Sequence, residues 1–383
     1  MKIVYCTKHI TNNGGVERIL TLKANHLADK GYEVSIISVA DTFDKPFYDI
    51  DPRVKLYSLG CDDFFAYHGL KKKLRFKRNV RTFVDKITPL LEEIRPDIAI
   101  STFDKYSRFI YMVRDGSKKI LERHYAKHKR AQYMAKLEKC AFGRMLTRFY
   151  RRKEYRIIRK YDRFVVLTEE DKGMWGELPN IIAIPNCLTF RPAAPSPLDG
   201  KRIIALGRLS KSKRFDALAR MWSEISGRYP DWKLVIYGNG DDPGLQKMIA
   251  RPEVGRQTEV HPATSNVERE LLDSSIYAMT SRYEGLPMVL LEAISCGLPA
   301  VSYACHCGPR DIIEDGVTGF LVDPGDEKTF VEKLALLIED EERRREMGKA
   351  AYESADRFSR ERVMRRWMDL FETLTDQSKP PRN

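Results

Sequence analysis

Short apolar runs alternate with amphipathic stretches along the chain, and this pattern predicts an α/β protein. The first unit is an apolar run, Lys2–Cys6, a helix that opens at Gly14-Gly15 and ends at Gly31, and a second apolar run, Glu33–Val39. Glycine commonly ends a helix because it adopts the left-handed conformation. A strand, loop, helix and strand in this order form a βαβ unit, which binds ligands at the carboxyl ends of its strands.

The alternation resumes after a proline-rich segment at 189–200, which we interpret as a linker. Strands are predicted on both sides of it, at 97–101, 163–167, 202–206, 233–237, 276–280 and 299–302. With 383 residues the chain exceeds the usual size of one core, so we expect two domains, at 1–188 and 201–357. A terminal helix at about 358–375 is expected to cross back to the first domain, and residues 376–383 to be a disordered tail.

The stretch from Ser281 to Glu292, SRYEGLPMVLLE, places two carboxylates eight residues apart around a Gly and a Pro. Pro287 fits the first position of a helix, whose free N–H groups and dipole attract anions. Glu292 then lies about 7–8 Å along the axis at 1.5 Å per residue, roughly the span from a phosphate to a ribose. Spacing alone leaves open whether this is a nucleotide site or an ordinary helix start with a solvated acid.

Cysteine and acidic motifs give little indication of metal. The seven cysteines are scattered and odd in number, which suits a reducing cytosol. Cys305-His306-Cys307 has no second ligand pair at matching spacing, and Asp49-Ile50-Asp51 is interpreted as a surface turn, so we expect no metal. No run approaches the roughly 18 apolar residues of a membrane span, and the N-terminus lacks a signal-peptide pattern.

Positive charge is concentrated in the first half of the chain. Residues 1–190 carry 38 Lys and Arg against 23 Asp and Glu, whereas the remainder carries 29 against 31. Within 118–160 there are 16 basic residues and three acidic ones, with apolar residues at helical spacing: Tyr133, Met134, Leu137, Phe142, Met145, Leu146, Phe149 and Tyr150. Such a stretch is typical of a surface that meets an anionic membrane or another polyanion. The alternative is a helix that packs its apolar side on the core and solvates its charges.

Ten short motifs together resemble family 4 glycosyltransferases of the GT-B fold. They are GGVER at 14–18, ERH at 122–124, LTEED at 167–171, IPN at 184–186, GRLSKSKRFD at 207–216, IYGNGD at 236–241, SRYEGLPMVLLEA at 281–293, CGLPAVS at 296–302, GPRDII at 308–313 and DGVTGFLV at 315–322. The resemblance extends over nearly the whole chain and is strongest between residues 203 and 325. It implies two Rossmann-like domains facing a cleft, and retaining transfer from a nucleotide sugar without a metal or other cofactor.

The resemblance also implies roles for individual residues. Arg208 and Lys213 match the basic pair on the diphosphate, although Lys211 is close by; Glu284 matches the acid near the donor sugar, and Glu292 the acid on the ribose hydroxyls. Other donor contacts are implied for Gly14, Gly15, Gly238, His261, Ala263, Gly285, Leu286, Pro287, Met288 and Val289. His124 matches a position that faces the donor sugar and acceptor, and a structural role for it stays open. Where relatives more often carry an acid, this chain has Cys305-His306-Cys307.

The resemblance and the charge together predict a cytoplasmic glycosyltransferase on the inner face of the plasma membrane. We expect transfer from a nucleotide-diphosphate sugar, with UDP as the default base, to a lipid-linked saccharide in bacterial surface polysaccharide or lipopolysaccharide synthesis. Two alternatives remain: a GT-B nucleotide-sugar epimerase or hydrolase, and a nucleic-acid-binding protein suggested by the net charge of +13. The second lacks any recognised nucleic-acid motif, so we expect no nucleic-acid partner.

Overall fold

Two parallel β-sheets, each flanked by helices, organise the chain. The computed structural model describes residues 1–41, 45–61, 71–103, 106–128 and 140–376, and the side chains of all of these except 71–75. The predicted α/β class with two Rossmann-like domains is confirmed.

The first sheet has seven strands in the order β3-β2-β1-β4-β5-β6-β7. The strands are β1 Lys2–Thr7, β2 Glu33–Ser38, β3 Lys55–Ser58, β4 Ile98–Thr102, β5 Lys118–Glu122, β6 Arg163–Val166 and β7 Ile181–Ala183. All neighbouring strands run parallel, as in the pairing of Tyr5 with Ile36 on one side and Ile100 on the other. Their carboxyl ends therefore share one edge.

Helices cover both faces of this sheet. They are α1 Gly15–Asp29, α2 Lys71–Ile94, α3 Ala141–Ile158 and α4 Glu169–Trp175, with a 3-10 turn at Ser107–Met112. Because both faces are covered, a central strand such as β4 is buried at every position rather than at alternate ones.

The second sheet has six parallel strands in the order β10-β9-β8-β11-β12-β13. They are β8 Arg202–Leu206, β9 Lys233–Tyr237, β10 Thr258–His261, β11 Ile276–Met279, β12 Ala300–Tyr303 and β13 Gly319–Val322. The helices of this part are α5 Phe215–Ile225, α6 Pro243–Ile249, α7 Pro252–Gly255, α8 Val267–Leu272, α9 Met288–Ser295, α10 Pro309–Ile312, α11 Glu327–Glu339 and α12 Glu341–Ser354, with 3-10 turns at Ser226–Arg228 and Ala355–Phe358.

The last helix, α13 at Arg360–Thr375, packs against the first sheet rather than the second. Its buried Trp367 and Phe371 lie in one apolar cluster with Ile3 and Leu27. The first core therefore contains side chains from both ends of the chain.

Several local expectations need correction. Pro287 is extended and precedes helix α9, which begins at Met288, so the proline is the capping residue rather than the first helical one. A basic run at 71–81, KKKLRFKRNVR, begins helix α2, which the sequence pattern does not predict because few apolar residues stand among its charges. Of the predicted tail, 377–383 lie outside the described residues, as do Tyr133, Met134 and Leu137 of the predicted basic helix.

Two of the cations in the basic stretch at 118–160 turn inward. Lys119 is paired with Asp115, and Arg123 with Glu154, and both basic side chains are buried. The expectation that this stretch faces a partner is therefore wrong for these two residues, because each neutralises a carboxylate inside the first domain.

Candidate functional site

Lys213 and Glu284 form an ion pair at the carboxyl edge of the second sheet. The Lys213 ammonium lies 2.6 Å from Glu284 Oε1, and both side chains are largely buried. Glu284 follows strand β11, and Lys213 lies in the loop after strand β8, the neighbouring strand. Parallel strands bring their carboxyl ends to one edge, so the topology joins two residues 71 positions apart.

Hydrogen bonds to the end of β11 fix the Lys213 loop. The Thr280 hydroxyl donates to the carbonyl oxygens of Lys213 and Arg214, at 2.9 and 3.0 Å, and the Arg282 N–H donates to the Ser212 carbonyl at 2.8 Å. Lys213, not Lys211, is the lysine held against Glu284, since the Lys211 side chain is exposed.

The Glu284 backbone is held by the segment Cys305–Cys307. The Glu284 N–H donates to the His306 carbonyl at 2.8 Å, and the Cys307 N–H donates to the Glu284 carbonyl at 3.2 Å. Burial raises the pKa of Cys305 to about 12 and also raises the pKa of Cys307, so both thiols stay protonated at neutral pH. Among the described residues no cluster of His, Cys, Asp or Glu has the makings of a metal site.

The two domains meet at Gly285. A Cβ at this position would stand 2.8 Å from the His124 carbonyl oxygen, which is closer than real Cβ atoms approach backbone, and 3.3 Å from the Tyr125 Cα. A second cross-domain contact lies next to it, where His306 Nδ1 is 2.6 Å from Glu170 Oε1. Glycine at 285 therefore lets the first domain approach directly beside Glu284.

Glu292 lies on helix α9 where the second domain contacts the first, and its side chain is 3% exposed. Arg18 Nη1 donates to Glu292 Oε1 at 3.1 Å, and the Thr189 hydroxyl donates to the same oxygen at 2.6 Å. Burial raises the pKa of the Glu292 carboxyl, and the Thr189 hydrogen bond and the Arg18 charge oppose that rise. Both donors reach Oε1, and in the described part of the chain no donor reaches Oε2.

His124 belongs to a buried polar cluster in the first domain. His124 Nε2 lies 3.3 Å from Glu122 Oε1, and both Glu122 oxygens accept hydrogen bonds from Lys23 Nζ, at 2.8 and 2.7 Å. The ammonium also lies 3.6 Å from the centre of the Trp367 ring on helix α13. Although burial alone would raise it, the charges of Lys23 and His124 lower the pKa of Glu122 to about 2.

The remaining residues predicted on the donor lie around two tightly packed loops. A Cβ on Gly238 would stand 1.9 Å from the Gly207 carbonyl oxygen, so only glycine fits there. Arg208 is exposed and has no ion pair with any described residue. At the end of edge strand β10 the His261 ring stacks on Tyr237, with centroids 5.1 Å apart.

The other predicted residues make fewer contacts that bear on the site. The Ala263 N–H donates to Asn239 Oδ1 at 3.0 Å, and no described contact joins His261 or Ala263 to the segment 284–292. Gly14 caps helix α1 beside the Glu17 carboxylate, whereas a Cβ on Gly15 would meet open space. Leu286 and Pro287 are buried, and Met288 and Val289 form the first turn of α9.

Two site residues were missed from the sequence, Arg18 and Thr189. Arg18 stands in the quoted GGVER motif and Thr189 begins the predicted linker, but their common partner Glu292 is 274 and 103 positions away. No local pattern carries contacts of that separation. An arginine in the first turn of a glycine-opened helix was the available signal, because cations are disfavoured at that end of a helix dipole.

The arrangement has a definite chemical capacity. The fixed cation of Lys213, the exposed cation of Arg208 and the free N–H groups that begin α9 are suited to neutralise a diphosphate. A buried carboxylate with one oxygen left for a ligand is suited to accept hydrogen bonds from vicinal hydroxyls. These groups lie at the junction of two Rossmann-like domains, and their chemistry suits a nucleotide diphosphate.

Comparisons with known proteins show which proteins this chain resembles. Residues 188–354 match the family of glycosyl transferases group 1. An uncharacterized glycosyltransferase of Haemophilus influenzae is 29% identical over 96% of this chain and 99% of its own length. The amylovoran biosynthesis glycosyltransferase AmsD of Erwinia amylovora is 26% identical, covering 96% and 99%. An α-1,4-N-acetyl-D-galactosaminyltransferase of Campylobacter jejuni, named for an acceptor glycan on PP-undecaprenol, is 26% identical, covering 94% and 95%.

Solved structures share the whole fold. A point mutant of Staphylococcus aureus TarM in complex with fondaparinux, α-GlcNAc-glycerol and UDP superposes with a TM-score of 0.73 at 16% identity, covering 97% of this chain and all of that one. The lipopolysaccharide outer core galactosyltransferase WaaB superposes with a TM-score of 0.71 at 21% identity, covering 97% and 99%. The chain has the GT-B fold, and the proteins it resembles are glycosyltransferases. No helix in the described part of the chain is long and apolar enough to span a membrane.

Proposed function

We propose that this glycosyltransferase moves a sugar from a UDP-sugar to a saccharide acceptor, with retention of anomeric configuration. The observation that carries the proposal is the pairing of Lys213 with Glu284 beside the N-terminus of α9, with Glu292 buried on the same helix. In this assignment Arg208 and Lys213 stabilise the negative charge that develops on the departing diphosphate. Fixed cations aimed at developing charge are among the strongest catalytic devices.

Glu292 binds the ribose in this proposal, and Glu284 lies next to the donor sugar. Arg18 and Thr189 direct Glu292 Oε1, which leaves Oε2 to accept from the ribose hydroxyls. In this proposal His124, whose carbonyl oxygen lies next to Gly285, faces the donor sugar and the acceptor from the opposite domain. Charge neutralisation rests on Arg208 and Lys213, and no metal ion takes part in the proposed step.

The acceptor is proposed to be a lipid-linked saccharide of a bacterial surface polysaccharide or lipopolysaccharide. The support lies in the relatives: AmsD is named for amylovoran, the Campylobacter enzyme for a PP-undecaprenol-linked glycan, and WaaB for the lipopolysaccharide outer core. UDP as the donor nucleotide is supported by its presence in the TarM complex.

The enzyme is proposed to work in the cytoplasm on the inner face of the plasma membrane. Helix α3 exposes Phe142, Met145 and Phe149, which are 68, 62 and 62% exposed and share one side of its N-terminal half. Arginines flank them, so the surface combines apolar insertion with attraction to anionic lipid.

Sedimentation with phosphatidylglycerol vesicles tests the membrane contact. We expect the wild type to sediment at low salt and Phe142→Ser/Phe149→Ser to remain in solution. The control is Val317→Ser, which removes an exposed apolar side chain of the second domain. If the wild-type protein stays in solution at low salt, the proposed membrane contact is contradicted. The proposed transfer reaction is not tested by this result.

A transfer assay tests the proposed reaction. The purified chain is incubated with individual UDP-sugars and a short-chain lipid diphosphate saccharide, and the anomeric configuration of the product is determined by NMR. We expect an acceptor-dependent product that keeps the configuration of the donor. Conversion of the donor without acceptor would indicate an epimerase or hydrolase instead, and an inverted product would contradict retention.

A further inference from the structure

A basic groove runs along one side of helix α3 in the first domain, with a volume of about 1080 Å³. Seven of its ten described lining residues are Lys or Arg, and none is Asp or Glu. The helix contributes Arg148, Arg151, Arg152, Arg156 and Arg159, whose spacing puts them on one face. From Arg148 to Arg159 this face is about 16 Å long at 1.5 Å per residue.

The opposite face of α3 already satisfies the folding requirement of the helix. Gly143, Thr147, Ile157 and Ile158 are buried there, and the buried Glu154 pairs with Arg123. The arginines of the groove are therefore not needed to hold the helix in place. Packing on the core accounts for the buried side of α3. It does not account for the exposed Arg148, Arg152, Arg156 and Arg159 on the other side.

Three of these arginines repel one another along the helix. Arg148, Arg152 and Arg156 follow one another at intervals of four, where like charges repel across a helical turn. Together with Arg159 these side chains are exposed, and none of the four has an ion pair with a described residue. A bound anion would relieve this repulsion.

The type of basic side chain in the groove indicates which anionic group would bind there. Five of the seven basic lining residues are arginine, whose planar fork donates two parallel hydrogen bonds to phosphate. The remaining wall is rigid: Lys127 Nζ donates to the Tyr155 hydroxyl at 2.6 Å and to the Met174 carbonyl at 2.8 Å. Neutral sugars would gain nothing from such a surface, whereas phosphate oxygens match it.

One end of the groove contacts the segment that holds Glu284. Its lining residue His128 lies with its ring centroid 4.4 Å from that of His306. The His306 carbonyl accepts from the Glu284 N–H at 2.8 Å, so two contacts lead from the groove to the backbone of Glu284. A ligand in the groove therefore has its other end near the reaction centre.

We infer that this groove binds phosphate groups of the acceptor, which makes the acceptor a phosphate-bearing saccharide. The inference rests on the proposed function and specifies its acceptor side. Phosphate in an acceptor has two sources, a diphosphate that joins the saccharide to a lipid, and phosphodiesters repeated along a polymer. Both present the same oxyanions to the arginines.

Calorimetric titration of the full chain tests the inference. UDP is added first to saturation, so that a diphosphate probe is excluded from the donor site, and binding of UDP is measured at this step. The probes are then inorganic pyrophosphate and a glycerol phosphate oligomer. The variants are Arg152→Gln/Arg156→Gln in the groove and Lys77→Gln/Arg78→Gln as the control, which removes two exposed cations of the same domain from helix α2.

We expect the wild type and the control to bind at least one probe and the groove variant to bind it at least tenfold more weakly. Pyrophosphate binding assigns a diphosphate-linked acceptor, and binding of the oligomer alone assigns a phosphodiester polymer. Equal probe affinity in all three proteins, or no binding of either probe, overturns the inference. If UDP still binds in that case, the proposed donor site is unaffected. Loss of vesicle sedimentation in the groove variant without any change in probe affinity overturns it in favour of a membrane role. Absence of UDP binding contradicts the proposed function itself.

Discussion

Arg18 of the first domain donates a hydrogen bond to Glu292 of the second, with 3.1 Å between Nη1 and Oε1. The pair joins the first turn of helix α1 to helix α9 across the cleft. Thr189, where the chain passes between the domains, donates to the same carboxylate oxygen at 2.6 Å. Two distant parts of the chain thus orient one buried carboxylate on a third.

Removing the Thr189 hydroxyl is expected to weaken nucleotide binding. A hydrogen bond to a charged group contributes about 1.5–3 kcal/mol, so Thr189→Val should raise the Kd for UDP roughly tenfold, as measured by calorimetry. Thr373→Val is the control, because that hydroxyl only donates to a backbone carbonyl on the exposed side of α13. Equal UDP affinity in wild type and Thr189→Val would mean that Glu292 needs no such orientation.

Glu292 should make stability depend on pH in a definite direction. Burial raises its pKa above 4.5 in the folded protein, so its contribution to stability is fully present below pH 4.5 and is lost as the pH rises through the folded-state pKa. Glutamine does not titrate. The melting temperature of Glu292→Gln relative to wild type is therefore expected to be higher at pH 7 than at pH 4.

Thermal unfolding of both proteins at the two pH values measures this difference. The matched control is Glu346→Gln, which replaces an exposed glutamate on α12. A difference between Glu292→Gln and wild type that stays constant from pH 4 to pH 7 would contradict the assigned direction.

Lys213 and Lys211 should differ sharply when each is replaced. Lys213→Met removes a fixed cation from the proposed leaving group and is expected to lower kcat roughly 10²–10³-fold, the range seen when one transition-state donor is lost. Lys211 is exposed, and Lys211→Met should stay within about twofold of wild type by the same reasoning. Steady-state transfer kinetics decide between them, and equal losses would show that the loop acts only through its net charge.

An added methyl group at residue 285 should force the two domains apart. The Cβ of Gly285→Ala would stand 2.8 Å from the His124 carbonyl oxygen, where neither backbone has a flexible end to give way. We expect kcat/KM to fall at least about fivefold, because small displacements of reacting groups have large effects on rate. Gly227→Ala meets open space and serves as control. Unchanged kinetics in Gly285→Ala would show that this approach is not needed for the reaction.

The sequence predicted the parts of this site that lie within single motifs. Glu284, Glu292 and Lys213 could be assigned because their neighbours repeat a recognisable order around a helix start. Arg18 and Thr189 could not, since each acts through a partner more than 100 positions away. Such contacts depend on how two sheets are placed, which periodicity does not encode.

The sequence predicted how many basic residues the stretch at 118–160 contains, but not which of their side chains are buried and which are exposed. The basic stretch at 118–160 was evident, yet Lys119 and Arg123 turn inward to Asp115 and Glu154 while the arginines of α3 turn outward. Helical spacing separates the faces of α3 correctly, and it does not say which face meets the core when both contain long side chains. Helix α2 was not predicted because basic residues dominate its start. Its apolar side is defined by packing, as where Phe76 contacts Tyr106 and Phe109.

The central claim is that the cleft around Glu284 and Glu292 binds a nucleoside diphosphate, and thermal stability with added nucleotides tests it most directly. UDP, GDP, ADP and CMP are each added to wild type, Glu292→Gln and the control Glu346→Gln. At 100 times Kd a ligand stabilises the folded state by about 2.7 kcal/mol, which corresponds to a shift on the order of 5 °C. We predict this shift for UDP in wild type and control and its loss in Glu292→Gln. No shift with any nucleotide, or the same shift in all three proteins, would contradict the assignment of the donor site.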